Sequence, residues 1–158
     1  MGSPNRYVPG FRLLNEIKKK RKYPIGNAVV VALGDAVILT AGYIQLATTL
    51  QQTTPVFVGI SNMTQTAAEA SSNGAYDLEV IPPLMEYDWI VPCEATDLIT
   101  VAQVGVLYDL QSEDGIDEGD VVTAGKGFFV DDVDVSSAAV AAATFGYAIG
   151  HFEDIFAS

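Results

Sequence analysis

Short, largely apolar runs recur about every ten residues along most of the chain between Gly, Pro or Asn-Gly pairs, and apolar and polar positions alternate in the run at 43–49. Apolar residues at every second position place one face of an extended chain inward and the other outward, so this texture predicts strands. The expected strands are 28–33, 36–40, 43–49 (with Ile44, Leu46 and Thr48 on one side), 55–60, 78–81, 87–91, 98–101, 104–110, 138–143 and 145–152. Segments 121–123 and 127–130 are expected to pair around Ala124-Gly125-Lys126. Residues 62–73 are small and polar and are expected to form a loop, with a single helical turn at 66–70. Gly34-Asp35 and Ala41-Gly42, echoed by Gly119-Asp120 and Ala124-Gly125, read as hairpin punctuation. No long amphipathic helix follows residue 22, so a parallel βαβ architecture is not expected. The expected fold is mainly β: a small barrel or sandwich carrying an extended or short-helical N-terminal arm.

The arm is marked by charge. Seven of the eight basic residues lie in the first 22 positions, which carry a net +6, whereas the remaining 136 residues carry −18. This division sets an arm over 1–24 apart from a β-rich body over 25–158. Phe11, Leu14 and Ile17 fall at i, i+3 and i+6, which fits a short helix over 11–22 ended by Tyr23-Pro24. A helix of that length is marginal alone, so its apolar residues call for a partner surface. Arg6, Tyr7, Phe11, Arg12, Leu14, Ile17, Lys18, Lys19, Lys20, Arg21 and Lys22 are therefore the expected partner-contact residues, against the bland alternative of a solvated basic tail. The acidic body speaks against nucleic acid as the partner, because it repels phosphates.

Candidate chemistry changes this picture little. One histidine, His151, and one cysteine, Cys93, make a zinc site of the usual Cys/His type improbable and allow no intrachain disulfide. Cys93 reads as a buried structural thiol and His151 as a packed or rim residue, so no catalytic residue and no cofactor is assigned. Glu113, Asp114, Asp117, Glu118 and Asp120 crowd one turn, but their spacing is not that of an EF-hand loop and a solvated hairpin tip is the simpler reading. The longest uncharged stretch, 36–68, is broken by glycine and proline, so no membrane span is expected. The N-terminus lacks a signal-peptide core, which places synthesis in a cytoplasm.

The segments Thr66-Ala-Ala-Glu-Ala-Ser-Ser-Asn-Gly74, Tyr76-Asp-Leu-Glu-Val-Ile-Pro82, Tyr87-Asp-Trp-Ile-Val-Pro92, Val104-Gly-Val-Leu-Tyr-Asp-Leu110, Gly127-Phe-Phe-Val130 and Phe145-Gly-Tyr-Ala-Ile-Gly-His-Phe152 together give the chain a texture that resembles tailed-phage capsid decoration (cement) proteins over about residues 26–153. The resemblance implies a β-tulip-like domain and a homotrimer bound to the major capsid protein on the exterior of the head. It implies capsid stabilisation and no enzymatic activity. Other phage structural β proteins of tail or baseplate, a nucleic-acid-associated protein, and a biotinyl- or lipoyl-type carrier domain suggested by Glu118-Gly-Asp-Val-Val-Thr-Ala-Gly125 are the alternative readings.

Overall fold

The computed structural model describes residues 10–51, 56–66, 72–93, 99–123, 126–134 and 146–153. Eleven strands are defined among them: β1 (Arg12–Leu13), β2 (Arg21–Pro24), β3 (Ala36–Thr40), β4 (Tyr43–Leu46), β5 (Val56–Ser61), β6 (Asp77–Ile81), β7 (Trp89–Pro92), β8 (Leu107–Ser112), β9 (Gly115–Val121), β10 (Gly127–Asp134) and β11 (Tyr147–Glu153). They form two antiparallel sheets, a six-stranded one in the order β1-β7-β11-β10-β8-β9 and a five-stranded one in the order β2-β6-β5-β3-β4. The fold is thus a small β sandwich. Neither sheet closes into a barrel, yet each curls until one parallel bridge joins two distant strands: Ile25, just after β2, meets Ile44 of β4, and Cys93, just after β7, meets Ile116 of β9. No helix of the described residues is long and apolar enough to cross a membrane.

Period-two alternation decides which residues fill which core. Ala36, Ile38, Phe57, Ile60 and Ile81 of the five-stranded sheet pack against Trp89, Val91, Leu110, Phe128, Val130 and Phe152 of the six-stranded sheet, forming the main core between them. The intervening positions Val37, Ile44, Leu78 and Val80 point the other way into a second cluster inside the curl, which Ile25, Val29 and Val31 plug. The segment 28–33 is therefore not the strand its β-branched composition suggests. Ala28 sits at φ 60°, which breaks extended geometry, and only Val31 makes a ladder contact, with Gln65. A bulge at Val58 lets Phe57 and Ile60, three residues apart, both face the main core. Gly59 makes that bulge possible: its φ is +141°, and a Cβ there would lie 2.2 Å from the Ile81 carbonyl oxygen.

Other expectations are redirected. The β3–β4 hairpin turns on Ala41 and Gly42 with φ of 50° and 87°, the two positive values of a type I′ turn, as the Ala-Gly pair suggested. Segments 121–123 and 127–130 do not pair with each other; β8 lies between β9 and β10, and Phe128 is opposite Tyr108. The acidic tip reduces to Glu113 and Asp114, because Asp117, Glu118 and Asp120 belong to β9. Residues 101–103 form a 3₁₀ turn capped by Thr100, beginning at Val101 where the expected strand over 98–101 was to end. The helical turn at 66–70 and the strand at 138–143 fall wholly or mainly outside the described residues.

Candidate partner-binding surface

The N-terminal segment is built into the sandwich. Gly10 donates its amide to the Asp114 carbonyl, Phe11 donates to Gly34, and β1 pairs with β7 at the edge of the six-stranded sheet. The chain then crosses to the other sheet, where β2 pairs with β6. Between these anchors the amides of Lys18 and Lys19 both donate to the hydroxyl of buried Tyr87, at 3.0 Å each. Residues 11–22 are therefore two strand pieces and a connection, not a helix. The ladder of a neighbouring strand satisfies the backbone of β1 and β2 that a lone helix would have to satisfy internally.

This placement divides the expected contact residues. Phe11 is 2% exposed and packs its ring against Trp89, Phe128 and Phe152, so it is a core residue and no partner anchor. Leu14 and Ile17 are exposed, at 53% and 39%. Arg12 stacks its guanidinium 5.7 Å above the Tyr147 ring. Lys18, Lys19, Lys20, Arg21 and Lys22 are exposed, and only two ion pairs hold them among the described residues: Lys18 with Glu86 at 3.7 Å and Lys20 with Glu79 at 3.4 Å. Such exposed pairs contribute only about 0–1 kcal/mol, so they restrain these cations little. The Glu79 carboxyl is held below the usual carboxylate range by the Asn62 amide and, secondarily, by Lys20. Arg6 and Tyr7 lie outside the described residues.

Beside this stripe runs an apolar groove of about 260 Å³ lined by Leu13, Ile17, Leu33, Ile60, Ile81 and Trp89 among others. Leu33 at its rim and Val30 nearby in the chain are 60% and 55% exposed. The indole N–H of Trp89 is buried and has no acceptor among the described residues. Leu33 and Trp89 entered the sequence reading only as strand residues. They join Ile17 through a fold that brings residues 17, 33 and 89 together, and no local pattern encodes that meeting.

Other titratable groups are perturbed as well. Asp35 is buried beneath the β8–β9 tip and its carboxyl is pushed up to about 6, chiefly by burial and further by Glu113 and Asp114, against the stabilising Ala32 amide. Burial pushes the Cys93 thiol far up, which keeps it an inert neutral group as its sequence context suggested. His151 is hydrogen-bonded at both ring nitrogens, Nδ1 to Asp131 at 2.7 Å and Nε2 to Glu153 at 3.0 Å. Burial alone would lower its pKa, but these two carboxylates outweigh it and raise the pKa above the ordinary histidine value. Comparison with family models, with curated proteins and with solved structures finds no match.

Proposed function

We propose that the chain is a virion structural protein, a decoration protein that seats on the exterior of a phage head and stabilises it by bridging major capsid protein subunits, acting as a homotrimer without enzymatic activity. The observation that carries this reading is the stripe of Leu14, Ile17 and Lys18 to Lys22, displayed beside an apolar groove on a segment fastened to both sheets. A fastened stripe loses little conformational entropy on docking, so its apolar residues can contribute most of their burial energy to affinity. The cations in turn speed encounter with an acidic surface. The −18 charge of the other residues disfavours DNA.

The test is to mix the protein with undecorated, expanded heads and measure retention on the heads and their resistance to heat. Binding that saturates at a fixed number of copies and raises the head's melting temperature is expected. Replacing Leu14 and Ile17 with Ser should speed dissociation, and replacing Lys18, Lys19, Lys20, Arg21 and Lys22 with Gln should slow association and flatten its salt dependence. Retention on DNA at physiological salt with none on heads would replace this reading with a nucleic-acid one.

A further inference from the structure

The outer face of the six-stranded sheet carries a second feature, remote in sequence from the basic stripe. Asp88 immediately precedes β7, Asp131 is the extra residue of a bulge in β10, and His151 lies on β11. The β7–β11–β10 ladder sets these three elements side by side, with Trp89 opposite Gly150 and Phe129 opposite His151. One ligand atom from each of Asp88, Asp131 and His151 falls within 4.8 Å of the others, a convergence of metal-ligating groups that occurs once among the described residues. Zinc was improbable from the Cys/His count of the sequence, but a histidine joined by carboxylates from two other elements is a different donor set.

We propose that Asp88, Asp131 and His151 bind one divalent transition-metal ion of the zinc class, with Glu153 orienting the histidine from behind. Asp131 lies at hydrogen-bonding distance from Nδ1, 2.7 Å, so an ion with bonds of about 2.0–2.2 Å would take the place of the shared proton while the two ligand atoms move slightly apart. Asp88 is exposed and closes the remaining distance by side-chain rotation. Glu153 accepts from Nε2 at 3.0 Å, which holds the proton on Nε2, so an ion bound at Nδ1 would displace only the proton that Nδ1 donates to Asp131. A carboxylate on the second ring nitrogen is the usual outer partner of a metal-bound histidine. Phe129 packs on the imidazole with ring centroids 5.1 Å apart and limits its rotation.

Charge argues the same way. Asp88, Asp131 and Glu153 outnumber the single positive charge His151 can carry, and no lysine or arginine pairs with them among the described residues. One nitrogen and two carboxylate oxygens, open to solvent, suit a zinc-class ion that completes its shell with water, and the imidazole selects against magnesium and calcium. The bound ion would tie the segment before β7 to the β10–β11 pair.

The experiment is calorimetric titration of the full chain, stripped with chelator, with zinc chloride, together with melting temperature with and without zinc. We expect one ion per chain and a higher melting temperature with zinc, and no comparable effect from magnesium at the same concentration. Asp131→Asn and Asp88→Asn should each weaken zinc at least tenfold, and Glu153→Gln about tenfold while keeping the stoichiometry. His151→Ala should abolish binding; since Asp131→Asn preserves shape, it guards against loss of fold. Asp114→Asn, on the remote tip, should change nothing. Absence of saturable zinc binding up to 1 mM (roughly the weak end of functional metal sites), or binding that survives both His151→Ala and Asp131→Asn, overturns the proposal.

Discussion

Replacing Phe11 with Ala tests whether the N-terminal segment belongs to the fold. The side chain is 2% exposed and lies 5.2 Å from Phe152, 5.6 Å from Phe128 and 6.4 Å from Trp89 between ring centroids. Returning a buried phenylalanine to water costs about 1.5–3 kcal/mol, and the unfilled space left among three rigid rings raises the total to about 3–5 kcal/mol. Domains of this size are stable by only about 5–15 kcal/mol, so the loss takes a large share. Leu14, three residues on and 53% exposed, should by contrast cost no more than about 0.5 kcal/mol on truncation to Ala. The assay is a urea melt followed by intrinsic fluorescence, because the single tryptophan, Trp89, touches the Phe11 ring. A Phe11→Ala midpoint equivalent to less than about 1 kcal/mol, or equal costs at Phe11 and Leu14, would show the segment to be a detachable tail. By the same reasoning, removal of residues 1–22 should unfold much of the protein.

Three further outcomes follow from single residues. Asp35 titrates near 3.8 when unfolded and at about 6 in the fold, so the folded chain binds the extra proton and stability falls as pH rises from about 4 to 6. Asp35→Asn should flatten that slope in pH-dependent urea melts and raise stability at pH 7 by about 2–3 kcal/mol; an unchanged slope would refute the assignment. Gly59→Ala should cost on the order of 3–4 kcal/mol in the same melts, since neither its φ nor the space beside Ile81 admits a Cβ, and a cost under about 1 kcal/mol would count against the bulge. Ala41→Asn should stabilise by about 0.5–1 kcal/mol, because asparagine accepts the left-handed conformation of a type I′ turn more readily than alanine. Destabilisation by that substitution would mean the turn is of another type.

Local signals carried the parts of the fold that local physics determines. The short apolar runs that form β3, β5 and β6 and the Ala41-Gly42 turn fell where the structure has them, because each depends on neighbours in sequence. What failed depended on distant partners. Phe11, Leu14 and Ile17 have helical spacing, but Phe11 faces a core made by β7, β10 and β11 while the other two face solvent. Val29 and Val31 have strand composition but serve as a plug, which only the curl of the other sheet explains. The pairing of 121–123 with 127–130 assumed that neighbours in sequence pair, and β8 displaced it. Of the candidate surface, charge exposed the cations and hydropathy exposed Leu14 and Ile17, while Leu33 and Trp89 became visible only in three dimensions. The meeting of Asp88, Asp131 and His151 needs a strand order, a register and a bulge, none of which is written in spacing.

The way β1 and β2 are shared between the sheets also bears on how the chain reaches its native state. Leu13 pairs with Trp89 and Arg21 with Val80, so each closes a loop of more than fifty residues. Contacts of such separation cost entropy before they return any energy, which makes a slow, late-closing fold the expectation. The segment that carries Leu14, Ile17 and the lysines cannot be held in place until β6 and β7 both exist as strands. A half-folded molecule therefore has the residues of the stripe without its shape, and the stripe itself reports that folding is complete.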